Sequence, residues 1–137
     1  MGRHRLTLAA LGATLALGSA LSTGSGAMAA TPAGTAAAWG GCAVGDICVY
    51  SGSNGTGSVC AWDGDDLDWR GGTVRCSWSG AKSVLSVWNR GTGGEGAYRH
   101  VKFYKGADYK GYKGCVRQGE KGNTGAHLRS HKWATSC

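Results

Sequence analysis

Tyr104-Lys105-Gly106-Ala107-Asp108-Tyr109-Lys110-Gly111 sets two aromatic rings five positions apart and a glycine two positions beyond the second ring. Glycine takes positive φ without strain, so Gly111 suits a sharp fold, and rings at this interval can pack across a hairpin and cover the core beneath it. The stretch reappears in weakened form as Tyr50-Ser51-Gly52-Ser53-Asn54-Gly55-Thr56-Gly57, with Gly55 standing where the second ring should be. Each copy is followed by a strand-like segment that carries a serine, Ser86 in Ser86-Val87-Trp88-Asn89 and Ser130 in Ser130-His131-Lys132-Trp133. A hairpin that occurs twice divides the chain near residues 91–96 into two units of about 45 residues each.

The sequence around these hairpins reads as all-β. Short apolar runs at 47–50, 58–62, 84–88, 100–104 and 128–133 are separated by glycine-rich turns, and no segment keeps a helical period. Asn54-Gly55-Thr56 fits a glycosylation sequon, but Asn-Gly between strands is more simply a tight turn. Residues 1–29 have the form of an export signal: Arg3 and Arg5, an apolar run over 6–21, and the small-x-small ending Ala27-Met28-Ala29. That run falls short of the roughly 20 apolar residues a membrane span needs, and no second one follows. The chain is therefore expected to be secreted, with no membrane span. Residues 30–41 are expected to be a disordered leader, and the domain is expected over 42–137.

Six cysteines, Cys42, Cys48, Cys60, Cys76, Cys115 and Cys137, lie behind the export signal. An even set in an exported domain of this size reads as a disulfide framework, with 15 pairings open to six cysteines. Such bridges, at about 2 to 4 kcal/mol each, would support a core too small to be secure from apolar burial alone. Behind the signal the charge is uneven. Five acids face three bases between Asp46 and Asn89, whereas ten bases face three acids from Arg90 onward. A basic half of this kind aids solubility and also fits an acidic partner.

The paired-ring hairpin and its serine resemble the folded hairpin of a βγ-crystallin Greek key. The fold implied is an all-β, disulfide-stapled sandwich of two Greek keys, motif 1 at about 42–90 and motif 2 at about 97–137. Tyr50, Gly57, Ser86, Tyr104, Tyr109, Gly111 and Ser130 take the structural hairpin positions under this resemblance. Keeping each bridge within one Greek key leaves three pairings of the first four cysteines; the simplest set is Cys42 with Cys48, Cys60 with Cys76, and Cys115 with Cys137, and the connectivity stays open. The opening block, Gly41-Cys42-Ala43-Val44-Gly45-Asp46-Ile47-Cys48-Val49-Tyr50-Ser51-Gly52, is similar to the start of the streptomycete metalloproteinase inhibitors, and Gly125-Ala126-His127-Leu128-Arg129-Ser130 is similar to their last strand. The resemblance implies a monomeric inhibitor whose partner is a secreted, thermolysin-like metallopeptidase. It presents a Cys-Val bond in a loop held by a cysteine, for which Cys115-Val116-Arg117 is the matching segment, although valine is a common strand former and Val116 reads also as a core strand residue, with the loop at 91–96 as the next candidate.

Other chemistry is poorly supplied. Asp63-Gly64-Asp65-Asp66-Leu67-Asp68 is acidic enough to suggest calcium, but Leu67 and Val74 stand where helix-loop-helix ligands are due. The calcium positions of a βγ-crystallin are also lost, to Ala81-Lys82 and Gly125-Ala126. His100, His127 and His131 are expected at the surface, not around zinc. There is no Gly-x-Ser-x-Gly elbow and no His-Glu-x-x-His, and each cysteine is expected in a bridge, so no catalytic residue, cofactor, metal or nucleic-acid partner is expected. The contrasting class is a secreted killer-toxin-like or wall-binding protein of the same fold. Its basic half would meet an acidic cell-wall polymer or glycan without inhibiting any peptidase.

Overall fold

A computed structural model describes residues 38–137. The export signal expected at 1–29, and the leader as far as residue 37, lie outside the described residues. Seven strands follow in order: β1 (Ile47–Tyr50), β2 (Val59–Trp62), β3 (Val84–Asn89), β4 (His100–Tyr104), β5 (Tyr112–Val116), β6 (Lys121–Ala126) and β7 (Ser130–Ala134). They form two antiparallel sheets, ordered β2-β1-β3-β6 and β5-β4-β7. β6 belongs to the second half of the sequence but completes the sheet of the first, pairing Lys121 with Trp88 and Ala126 with Val84. In return the first half gives the other sheet a single bridge, Asp66 against His131 on β7. Two Greek keys that each lend a third element to the other's sheet make the βγ-crystallin-like sandwich expected from the hairpins.

The core follows from the alternation of side chains along the strands. On β4, Val101 and Phe103 are buried while His100, Lys102 and Tyr104 are only partly so. Ile47, Val49, Trp62, Trp69, Val84, Val87, Val101, Phe103 and Trp133 fill the space between the sheets. Cys42–Cys48, Cys60–Cys76 and Cys115–Cys137 are bridged, each within one Greek key.

The two hairpins are built alike. Ser86 Oγ donates to the Gly52 carbonyl (2.7 Å) and accepts from the Gly55 amide (2.8 Å). Ser130 Oγ donates to the Gly106 carbonyl (2.7 Å) and accepts from the Tyr109 amide (3.2 Å). Gly57 and Gly111 both have positive φ, 78° and 68°, as a sharp fold requires. Asn54 forms the expected tight turn, with φ 55°, and pairs with Asn123 of β6 through both its backbone amide and its side chain.

Three sequence expectations need correction. The leader does not extend to residue 41: the Trp39 amide donates to the Gly55 carbonyl (2.8 Å), and its ring lies edge-on to Tyr50 (5.5 Å) and Trp88 (6.0 Å). A large ring over two half-covered aromatics removes enough apolar surface to fix the segment. His131 is not at the surface but fully buried. β5 and β6 were not foreseen as strands, because Tyr112-Lys113-Gly114-Cys115-Val116 and Lys121-Gly122-Asn123-Thr124-Gly125-Ala126 are rich in glycine and polar residues that disfavour β structure. They pair because each lies at a sheet edge, where one face stays in water.

Candidate functional site

Cys115 and Val116 are the last residues of β5, opposite Lys102 and Val101 of β4. The bond between them is therefore in a strand, not in the loop that the resemblance implies. The Val116 side chain packs on the core cluster, and its carbonyl accepts from Asn89 Nδ2 (3.1 Å). Partly buried against the core on the inward side of a strand, this valine is less free than a loop residue to enter a peptidase cleft. Arg117 alone is exposed, and its amide is taken by Glu120 Oε2 (2.8 Å).

The exposed, clamped peptide is elsewhere, between β2 and β3. After Trp62 the chain crosses to the second sheet, where Asp66 and His131 exchange backbone hydrogen bonds of 3.1 and 3.0 Å. The Trp69 amide then donates to the Arg129 carbonyl (2.8 Å). Its fully buried indole stacks on Trp62 at 4.9 Å and donates from Nε1 to His131 Nδ1 (2.9 Å). Seven residues later the Cys76 amide donates to the Trp69 carbonyl (2.8 Å), and Cys76, itself buried, is bridged to Cys60. Residues 70–75 are thus pinched at their base by a hydrogen bond and a disulfide. Gly72, with φ 71° and no atom within 4 Å of where a Cβ would stand, turns the tip.

Arg70, Thr73, Val74 and Arg75 are exposed around that turn, Val74 at 45%. Apolar surface continues from the tip along an open groove whose walls include Trp62, Leu67, Val74 and Tyr109. Below the tip, Arg129 holds the Asp68 carboxylate through two hydrogen bonds (2.9 and 2.8 Å), which lower its pKa to about 2. The same carboxylate accepts from the Arg70 amide (3.1 Å), tying the first residue of the loop to the body.

The acidic turn that leads here serves the fold. Asp65 Oδ1 accepts from the Trp133 amide (2.7 Å) and Asp66 Oδ1 from the Asp68 amide (2.8 Å). No cluster of three metal-ligating side chains occurs among the described residues. Burial lowers the pKa of His131, against the opposing effects of its bond to the Gly64 carbonyl and of Asp66 and Asp65. With Nδ1 accepting from Trp69, the neutral ring carries its proton on Nε2 and donates it to Gly64 (2.8 Å).

The profile of peptidase inhibitor family I36 matches residues 35–116, more than half of the sequence. The chain belongs to peptidase inhibitor family I36. The match takes in the whole first Greek key, including the 70–75 loop, and ends with β5. Among solved structures the I36 chain is similar to a βγ-crystallin domain described under the evolution of the eye-lens βγ-crystallin domain fold, at 17% identity and TM-score 0.48. That likeness covers 69% of this chain and 90% of that one. It is also similar to geodin, a βγ-crystallin from Geodia cydonium, at 14% identity and TM-score 0.46, over 66% of this chain and 49% of that one. No curated protein matches it significantly. Sequence reasoning missed the 70–75 loop, although Gly71-Gly72 followed by Val74-Arg75-Cys76 was a legible sign of a turn ending in a bridge.

Proposed function

We propose that this chain is a secreted inhibitor of extracellular, thermolysin-like metallopeptidases, and that the Thr73–Val74 bond of the 70–75 loop is what it offers to the cleft. Membership of a peptidase inhibitor family supplies the class of partner. The observation that carries the rest is Val74, exposed at the tip of a loop that the Cys60–Cys76 bridge and buried Trp69 clamp on both sides. Thermolysin-like enzymes favour a bulky apolar residue on the C-terminal side of the cut, and Val74 occupies that side. A loop already held in one shape loses little conformational entropy on binding. After a slow cut, Trp69 would keep the N-terminal end in place and the Cys76 bridge the C-terminal end. The new termini would then stay close enough to occupy the site or rejoin. In this reading the chain acts by binding and contributes no catalytic group of its own.

Titrating the purified protein into a thermolysin assay tests the proposal. Val74→Gly should weaken inhibition at least about tenfold, about 1.4 kcal/mol, with an unchanged melting temperature. Val116→Gly should instead lower the melting temperature and leave the inhibition constant of the folded fraction unchanged. Mass spectrometry of reduced samples after long incubation should find cleavage between Thr73 and Val74. If folded Val116→Gly protein loses inhibition while Val74→Gly keeps it, the reactive bond is on β5. Inhibition of serine or cysteine peptidases alone would refute the metallopeptidase assignment.

A further inference from the structure

Lys102 on β4 and Lys132 on β7 are direct cross-strand partners. Both lie on the outer side of the sheet, since their strand neighbours Val101, Phe103, His131 and Trp133 are all buried. Side chains so paired stand about 5 Å apart at their Cβ atoms, and like charges placed there destabilise a sheet. Among the described residues the two ion pairs are Arg117–Glu120 and Arg129–Asp68, so neither lysine has an acidic partner. The face therefore holds two like charges side by side, and neither makes an ion pair among the described residues.

Beside the lysines lies a continuous aromatic patch. The Tyr104 ring is 5.5 Å from Tyr109 and 5.9 Å from Tyr112, and Tyr112 is 57% exposed. Lys132 Nζ sits 5.5 Å from the Tyr109 ring, which joins charge and rings into one surface. Burial raises the pKa of Tyr109, and the charges of Asp65 and Asp66 add to the rise. Asp63 and Asp65 share a cleft with Lys132, but no carboxylate among the described residues pairs with either lysine, and one oxygen each of Asp65 and Asp66 is taken by the Trp133 and Asp68 amides.

We propose that this outer face of the second sheet binds an acidic polysaccharide. The tyrosine rings suit the apolar faces of sugar rings, their hydroxyls can bond to sugar hydroxyls, and the paired lysines suit carboxylates along the polymer. The proposal can be tested apart from the inhibitor reading, because none of its five residues belongs to the 70–75 loop and only Tyr109 also walls the groove beside it. A neutral glycan would leave the lysine pair without a counter-charge. A polyanion without exposed sugar faces would leave the tyrosines without a role.

Binding of the purified protein to polygalacturonate, neutral dextran and double-stranded DNA, at low and raised salt, tests this. Polygalacturonate should bind at low salt and weaken as salt rises, while dextran should not bind. Lys102→Gln should weaken binding by about tenfold while holding or raising the melting temperature, a combination that a merely structural lysine would not give. Tyr112→Ala should weaken polygalacturonate binding several-fold and leave thermolysin inhibition as it was. Absence of polygalacturonate binding at low salt would overturn the proposal. So would equal binding of DNA and polygalacturonate with no effect of Tyr112→Ala, since that pattern is charge attraction alone. Inhibition of peptidase in either case would leave the reactive-loop proposal intact.

Discussion

The second hairpin covers itself, whereas the first borrows its cover. In the second, Tyr109 supplies the ring beside Tyr104; in the first, Gly55 has no ring to offer, and Trp39 comes from sixteen residues upstream to lie against Tyr50. A Cβ on Gly55 would run into the Trp39 indole, so the missing side chain is what makes room for the borrowed one. The third elements differ in the same direction. The second key contributes a full strand, β6, to its neighbour's sheet, while the first contributes one bridge at Asp66 and then opens into the 70–75 loop. A duplicated scaffold can thus keep its hairpin chemistry in both copies and release one copy's third strand, because Trp69 and the Cys60–Cys76 bridge take over the anchoring.

The largest effect that could break this comparison is at Trp39. Trp39→Ala should cost about 3 kcal/mol in urea unfolding, close to the cost of Tyr109→Ala, if the two rings do equivalent work. An unchanged midpoint would reduce Trp39 to a decoration and leave the first hairpin uncovered. Next come the glycines. Both have positive φ, but a Cβ at Gly57 would meet Ser51 Oγ at 2.6 Å and the Gly52 amide nitrogen at 2.9 Å, whereas at Gly111 the nearest contact is Lys105 Cβ at 3.6 Å. Gly57→Ala should therefore cost about 2 kcal/mol and Gly111→Ala about 1, the difference being the clash added to a shared backbone strain. Equal losses would mean that the first hairpin relaxes where the second does not.

What the sequence made legible was local. The paired rings, the glycine after them and the serines all lie within one hairpin or one key, whereas the cysteine pairing rested on the resemblance to two Greek keys and not on spacing. Trp39 and His131 were misplaced, and Val116 could be read as a core strand residue or as part of a loop, because their surroundings come from distant parts of the chain. Trp39 is fixed by Tyr50 and Trp88, His131 is buried by Trp62, Trp69 and Phe103, and Val116 is set inward by its register with Val101. The 70–75 loop was missed for a related reason. Val74 was read only as a failed calcium position, and its exposure becomes apparent once Trp69 is seen to close the loop at its base.

The join between the keys should be sensitive to acid. The folded-state pKa of His131 is lowered, so below the ordinary histidine pKa of about 6.5 the unfolded chain binds a proton that the folded chain refuses. Stability should fall as pH drops through that value, and Asp68 should add a second loss as pH falls from about 4 to about 2, when its bonds to Arg129 are protonated away. The His131 ring signals in NMR spectra should remain those of a neutral imidazole at pH 6. A ring already charged there would break the Trp69 to His131 link that holds the base of the loop.

The smallest effect distinguishes shape from polarity in the first hairpin. Tyr50 is 1% exposed, and its hydroxyl oxygen has no hydrogen-bond partner among the described residues. Burial raises its pKa, with Arg90 only partly opposing, as befits a phenol whose charged form would have no nearby water. A buried hydroxyl without a partner costs free energy, while the ring beneath Trp39 gains it from packing. Tyr50→Phe keeps the ring and removes the hydroxyl, so its stability should lie within about 0.5 kcal/mol of the original, on the stabilising side. Tyr104 is only partly buried, so the same change there relieves no such cost and should be neutral. A clear loss at Tyr50 would mean that its hydroxyl is bonded in solution, and that the first hairpin is held by polarity as well as by the borrowed ring.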